Sequence, residues 1–276
     1  MSFVTDEIVE SLFSSLFGGL FEIVELGNAV WNFLISLVCG TALSSPQTFS
    51  EAAWTYTTVV VMGVTTAVGA SLLNFMYILG LVRQTSNIRE GITIEMVIES
   101  LIKLVCGNLL LLHGKQFITT IFDIAQAFTG TFSVTIPPIS VDTDLGTMLF
   151  SFIFGILYFA IALVCGVTIF LTVYGRYLQL YAIVGVAPIA WSTVAGGRGL
   201  SSTAIAWFKT FLSKTFEIVI IVLFLALGNI LCNAIDFMSA GGFEGYSQYF
   251  QNMATMVILA ASVKGADVFM RRTFGL

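Results

Sequence analysis

Residues 147 to 175 form an apolar run of 29 residues that contains no Asp, Glu, Lys or Arg. About 20 such residues suffice to carry an α-helix across the hydrocarbon core of a bilayer. Further long apolar segments lie at 53 to 82, 216 to 235 and 249 to 270. The sequence therefore predicts an all-α, polytopic integral membrane protein.

The composition supports the same class. Hydrophobic residues make up 57% of the 276 residues and charged residues 10%, against about 25% charged in soluble domains. A soluble fold could not hide so much apolar surface, because much of any folded surface faces water. The length allows about five or six spans of roughly 20 residues, with little left for a separate catalytic domain. The net charge of -5 argues against nucleic-acid binding by the chain as a whole.

The second span is ambiguous in sequence. Residues 104 to 112 are apolar but too few to cross alone. A crossing must therefore include either the charged stretch 92 to 103 or His113 and Lys115. With this segment, we expect about five transmembrane helices, accompanied by amphipathic helices and by re-entrant or broken ones.

The N-terminal region, residues 1 to 52, contains acidic residues and no Lys or Arg. It lacks the basic start of a secretory signal peptide, so we predict no cleaved signal. Residues 7 to 26 have the pattern of an interfacial amphipathic helix, and residues 28 to 43 either dip into the membrane or cross it. We therefore predict acidic, extracytoplasmic or interfacial helices in 1 to 52 and a transmembrane bundle in 53 to 276.

Loop cations predict the orientation, since cytoplasmic loops collect Lys and Arg. The loops 129 to 146 and 236 to 248 have no cation. The cations cluster elsewhere, at Arg83 and Arg89, at Arg176, Arg198, Lys209 and Lys214, and at Lys264, Arg271 and Arg272. We predict a bacterial cytoplasmic-membrane protein with its N-terminus outside and its C-terminus in the cytoplasm, with Lys115 as the one misfit.

Residues 176 to 195 are apolar but interrupted by Gly185 and Pro188. A full crossing there would place the cations that follow outside. We therefore predict a broken element, either a re-entrant hairpin or a buried element that faces the cytoplasm, continuing through an amphipathic helix to residue 215. Broken backbone at membrane depth must be covered by protein or by a water-filled cavity.

This element, taken through residue 215, contains four candidate contacts to a channel substrate or a partner protein: Arg176, Gly185, Pro188 and Arg198. For Arg176 the alternative is a simple anchor at the lipid headgroups. Glu95, Glu99 and Lys103 are a second candidate group, because their four-residue spacing places them on one helical face. That face either lines a polar passage or is solvated.

Small residues at four-residue spacing indicate helix-packing faces in membranes. Gly63, Ala67 and Ser71 form one such face, and Ala261 and Gly265 another. We predict that these faces support a homo-oligomer.

Catalytic chemistry is not indicated. His113 is the only histidine, and the four cysteines stand apart without metal-ligand spacing. We therefore predict no enzyme activity, no metal site and no cofactor.

The layout resembles one known family. A cation-free acidic N-terminus precedes the spans, and a long span ends at Arg176. There it enters Tyr177-Leu178-Gln179-Leu180, a broken Ala187-Pro188-Ile189-Ala190 element and an aromatic helix around Trp207-Phe208. This is similar to the TrbL-type inner-membrane subunit of type IV secretion and conjugation systems. The layout covers most of the chain, and the motif covers residues 176 to 215.

The resemblance implies a subunit of an oligomeric translocation channel that passes single-stranded DNA or protein. Its partners would be membrane lipid, further copies of itself, and other secretion subunits that include separate ATPases. Two alternatives stay open, a self-contained transporter or channel for solutes or ions, and a membrane-embedded enzyme built on Glu95, Glu99 and Lys103.

Overall fold

The computed structural model describes residues 23–42, 44–86, 94–131, 145–197, 201–234 and 244–275. These ranges are almost wholly helical and contain no strand. The predicted all-α class is therefore confirmed. The α-helices of these ranges are α1 (Ile23–Ala42), α2 (Pro46–Phe49), α3 (Glu51–Thr55), α4 (Met62–Ser86), α5 (Ile94–Thr131), α6 (Leu145–Ser192), α7 (Ser201–Ala234) and α8 (Glu244–Phe274).

Five helical segments of the described ranges are long and apolar enough to cross a membrane. They are Ile23–Ala42, Glu51–Arg83, Phe154–Gly196, Ser201–Cys232 and Gln248–Phe274. Four of them coincide with predicted spans. The fifth is α1, for which the sequence left a crossing open, whereas α5 is not among them. The chain is thus a multi-pass membrane protein by the length and apolarity of its helices.

The segment 176 to 195 does not form the re-entrant hairpin that the sequence offered as one alternative. Helix α6 runs without interruption through Pro188 to Ser192, and a 3₁₀ turn, Thr193–Gly196, follows it. At about 1.5 Å per residue the 48 residues of α6 span about 72 Å, more than twice the hydrocarbon core of about 30 Å. Its last turns are mostly buried, as in the other alternative, but the helix is continuous, so the predicted break is wrong. The side of the membrane that this segment faces stays a prediction.

Two compact units divide the chain. Unit 1 comprises residues 1–42, 132–173 and 221–266, and in its described part glycines mark the close helix contacts. A Cβ added at Gly27 of α1 would lie 3.2 Å from the Tyr158 ring of α6, and one at Gly228 of α7 would lie 2.7 Å from Leu259 of α8. The buried rings of Tyr158 and Tyr249 meet edge to face, with centroids 6.0 Å apart.

Unit 2 comprises residues 43–131, 174–220 and 267–276. Two serine N-caps start its first short helices, since the hydroxyl of Ser45 accepts a hydrogen bond from the backbone N–H of Thr48 and that of Ser50 from Ala53. The chain then passes through a π-helical stretch, Tyr56–Val61, into α4. Such a stretch widens the helix locally.

Helix α5 buries a single face in unit 2. The buried residues recur every three or four positions over most of its length: Ser100, Gly107, Leu111, Gly114, Ile118, Phe122, Ala125 and Thr129. Large apolar side chains on its other sides, such as Ile102, Val105 and Leu112, are exposed. Exposed apolar side chains of this kind suit contact with lipid or with another protein.

Candidate functional site, a buried ionic cluster

Lys214 of α7 lies at the centre of a group of charged side chains in unit 2. Its Nζ is 3.0 Å from Oε2 of Glu217 and 2.6 Å from Oδ1 of Asp267. Glu217 is three residues further along α7 and therefore on the same face, whereas Asp267 comes from α8. Lys214 is 7% exposed and Glu217 2%, so this ion pair is shielded from water.

Arg271 extends the group to the surface. Its Nε lies 3.0 Å from Oδ2 and 3.1 Å from Oδ1 of Asp267, and its side chain is 56% exposed. The charges of Lys214 and Arg271 balance those of Glu217 and Asp267. We call these four residues, together with Arg176, the ionic cluster.

Arg176 joins α6 to the ionic cluster through the backbone of α7. It is 3% exposed. Its Nε donates to the carbonyl oxygen of Lys214 at 3.0 Å, and its Nη2 donates to that of Thr215 at 3.4 Å. Its guanidinium also lies over the ring of Tyr177, 5.2 Å from the centroid, a cation–π geometry. The cluster thus links three helices, and the arginine guanidinium lies against two carbonyl oxygens and an aromatic face.

Two buried polar atoms at this point have no hydrogen-bond partner within the described ranges, Nη1 of Arg176 and Oγ1 of Thr215. Burying such an atom without a partner costs about 1–3 kcal/mol. The site is therefore polar beyond what its helix contacts require, in a segment of the chain that is otherwise apolar.

The two tyrosines that follow Arg176 make hydrogen bonds to the chain at the start of α2. The hydroxyl of Tyr177 donates to the carbonyl oxygen of Ser44 at 2.8 Å, and that of Tyr181 donates to Pro46 at 2.7 Å. The ring of Phe49 stacks on Tyr177 with centroids 4.0 Å apart. Since Tyr177 and Tyr181 are one helical turn apart, both reach the same short segment.

Gly185 and Pro188 pack closely against α4 and the π-helical stretch. The hydroxyl of Thr65 donates to the carbonyl oxygen of Gly185 at 2.7 Å, and a Cβ at Gly185 would lie 2.9 Å from Val61. A Cβ at Gly69 would lie 2.7 Å from the carbonyl oxygen of Pro188. Both predicted site residues thus serve close helix packing, and no break in α6 accompanies them. Their role as contacts to a substrate or partner stays a prediction.

The group Glu95, Glu99 and Lys103 lies on α5 and outside the ionic cluster. The predicted pair is formed, with Lys103 Nζ 2.5 Å from Glu99 Oε1. Its side chains are 31% and 60% exposed respectively, and Glu95 is exposed as well. Whether this face lines a passage stays a prediction.

The remaining predicted residues lie apart from the cluster. Arg198 falls outside the described residues. The predicted packing residues Gly63, Ala67, Ser71 and Ala261 are exposed and Gly265 half-exposed. A Cβ at Gly63 or Gly265 would meet open space. These faces are therefore not used for packing within the described chain, and remain available to a neighbour.

Sequence reasoning missed most of the ionic cluster. It did not indicate Lys214 as the partner of Glu217 or Asp267, whereas both carboxylates bind Lys214. A signal was present, because ionisable residues inside apolar segments are costly and usually face a partner. Glu217 and Asp267 both satisfy that description, but they lie 50 positions apart in sequence, and only the packing of α7 on α8 shows that they share one partner.

Within the described ranges, no three side chains of His, Cys, Asp or Glu come close enough together to hold a metal ion. No protein-family model, curated protein or solved structure matches this chain.

Proposed function

We propose that this chain is a non-catalytic subunit of a translocation channel in the bacterial cytoplasmic membrane, of the TrbL type found in type IV secretion and conjugation machines. It would form an oligomer, pass single-stranded DNA or protein, and depend on separate ATPase subunits. The observation that carries the proposal is the packing of residues 176–197 and 201–215, the described part of the segment in which the sequence resembles that family.

The residues of that segment make specific contacts. Arg176, Tyr177 and Tyr181 bind neighbouring backbone carbonyls, as described above. Trp207 Nε1 donates to the carbonyl oxygen of Ile183 at 3.0 Å and its ring lies 5.3 Å from that of Trp191. Defined partners for Arg176, Tyr177, Tyr181 and Trp207 support a common architecture better than a chance similarity of apolar residues would.

Oligomer formation is supported by the unused small-residue face of α4. Gly63, Ala67 and Ser71 are exposed beside large exposed residues such as Val64 and Phe75. In a bilayer, small residues allow close backbone approach between helices. This face would pack against a neighbouring copy.

The oligomer is tested by particle mass in nanodiscs and in several mild detergents. We expect particles of several times the 29.9 kDa chain mass. Gly63→Leu should dissociate them, because its side chain fills the proposed contact. Gly130→Leu is the matched control, because Gly130 is likewise open but lies on α5. Strictly monomeric particles under all conditions, or equal oligomers in both variants, would contradict the proposed interface.

The secretion role is tested in the host by deletion of the gene. Transfer of DNA or secretion of protein should fail and should be restored by the wild-type chain at matched membrane levels. Co-purification with secretion ATPases would add independent support. Normal transfer and secretion without the chain would refute the proposal.

A self-contained transporter of ions or small solutes is the second candidate, and the ionic cluster favours it. Ionisable side chains within membrane helices often mark ion or proton pathways. If the chain alone is a transporter, purified protein in liposomes should produce a flux of ions or small solutes. Lys214→Met should abolish that flux, and Lys264→Met should leave it unchanged. Absence of any such flux, together with failed transfer in the deletion strain, would decide for the secretion subunit.

A further inference from the structure

Unit 2 contains a cavity of 430 Å³ between α5, the end of α6 and the start of α7. Its walls are almost wholly apolar and include Leu110, Phe117, Val194, Ala204 and Trp207. Among the lining residues, Lys103 carries an ammonium group and Ser201 a hydroxyl group. We call this cavity the α5–α7 slot.

The slot extends along one face of α5. Lys103, Leu110 and Phe117 follow at seven-residue intervals on one face of α5. The 14 residues from Lys103 to Phe117 cover about 21 Å. An apolar lining of this length suits an extended hydrocarbon chain.

The two ends of the slot differ in character. Phe117 stacks on Phe208 at one end, with ring centroids 6.0 Å apart. Lys103 lies at the other end, where its ammonium group is partly exposed. A molecule that fits both ends has an apolar tail and an anionic head.

We infer that the α5–α7 slot binds one acyl chain of an anionic phospholipid, with the phosphate at Lys103. An acyl chain gains no hydrophobic free energy on leaving the bilayer for the slot, because both surroundings are apolar. The preference for one phospholipid over another must therefore come from the headgroup. Lys103 can provide it, since its ion pair with Glu99 is solvent-exposed and such pairs contribute little, and since an ammonium group has three donors.

The charge balance of unit 2 as a whole supports an anionic head. The sequence ranges of unit 2 contain ten of the eleven Lys and Arg residues against seven acidic residues, whereas those of unit 1 contain one cation and nine acidic residues. Basic pockets between membrane helices are a known kind of site for anionic lipid headgroups. The inference rests on membrane insertion of the chain and is independent of the proposed secretion role.

The test uses the full chain in nanodiscs of phosphatidylcholine with increasing amounts of phosphatidylglycerol brominated on its acyl chains. Bromine quenches tryptophan fluorescence on contact, and Trp191 and Trp207 line the slot. We expect quenching that saturates at a low fraction of brominated lipid. Ala204→Phe should fill the slot and leave only the gradual quenching expected of bulk lipid. Ala206→Phe, on an exposed position of the same helix, should behave like wild type.

A second variant separates the headgroup from the tail and covers the case in which Ala204→Phe fails to fold. Lys103→Gln should lower the preference for phosphatidylglycerol over phosphatidylcholine by about fivefold, the effect of about 1 kcal/mol per cation. Lys115→Gln, an exposed cation on the same helix, should leave it unchanged. Quenching that is linear in wild type, equal in folded Ala204→Phe, or indifferent to Lys103→Gln would overturn the inference.

Discussion

Nε of Arg176 donates a hydrogen bond to the backbone carbonyl of Lys214 across 3.0 Å, so the guanidinium of α6 is held by the main chain of α7. The neighbouring carbonyl of Thr215 accepts from Nη2. A planar fork can serve two carbonyls at once, which a lysine ammonium on a flexible stem does poorly. The buried position also leaves Arg176 out of reach of headgroups in this arrangement.

We therefore expect Arg176→Lys to destabilise the fold by roughly 1.5–3 kcal/mol, the range for a hydrogen bond to a charged group. Thermal unfolding of purified protein measures this, and Arg272→Lys at an exposed position is the control. If Arg176→Lys were as stable as wild type but failed in transfer, the arginine would act by direct contact with a substrate or partner and not through packing.

The ion pair of Lys214 and Glu217 predicts a partial rescue. Lys214→Met leaves a buried carboxylate at Glu217 without its cation, a loss of about 3–5 kcal/mol for a buried pair. Adding Glu217→Gln should recover part of that loss, because the uncompensated charge is removed. Folded yield and melting temperature are the measurements, and Glu99→Gln at the exposed pair should change stability by at most about 1 kcal/mol. A double variant less stable than Lys214→Met would show that Glu217 has another compensating partner.

Two glycines of α4 predict opposite responses to one added methyl group. Gly69→Ala places Cβ 2.7 Å from the backbone oxygen of Pro188, so α4 and α6 must move apart, at about 1–3 kcal/mol. Gly63→Ala meets open space and should be neutral or stabilising by up to about 1 kcal/mol through helix propensity. Melting temperatures of the two variants in one detergent test this. Equal effects would mean that the α4–α6 contact tolerates separation.

A similar pair exists on α5. A Cβ at Gly114 would lie 1.9 Å from the ring of Trp191, whereas nothing lies within 4 Å of one at Gly130. We expect Gly114→Ala to displace Trp191, with a shift in tryptophan emission and a lower melting temperature, and Gly130→Ala to do neither. An unchanged emission spectrum in Gly114→Ala would contradict the packing of Trp191 on α5.

The proposed orientation predicts accessibility from outside the cell. Single cysteines at positions 142 and 240, in a background without the four native cysteines, should react with an impermeant thiol reagent on intact cells, and one at 274 should not. The reverse pattern would refute the orientation.

Position 5 tests the N-terminal side. We propose that it is outside and reactive. A crossing by α1, one of the five candidate segments, combined with a crossing by α5 would place it inside and keep Arg83 and Arg89 in the cytoplasm. Protection of a cysteine at position 5 would establish that arrangement.

The membrane class and most of the spans could be predicted because they depend on local composition. An uncharged run such as 147 to 175 has one stable environment whatever surrounds it. The exposed pair of Glu99 and Lys103 was predictable for a similar reason, since four-residue spacing on a helix places two side chains together without any tertiary contact.

At Pro188 the prediction from local sequence was wrong. A proline removes one backbone donor and usually disrupts a helix, which is why the sequence favoured a break. In the fold, the oxygen of Pro188 faces Gly69 and the oxygen of Gly185 accepts from Thr65. The packing of α4 against this segment stabilises a continuous helix where the chain alone indicates an interruption.

The sequence by itself determined that this protein lies in a bilayer, because the free energy of transferring apolar segments out of water is a sum over residues. Only the tertiary structure decided which charges inside those segments meet. Lys214 and Asp267 are 53 residues apart and on different helices, and no periodicity relates them. Their contact depends on how α7 and α8 cross, and the crossing is set by side-chain packing along both helices, which cannot be read from either helix alone.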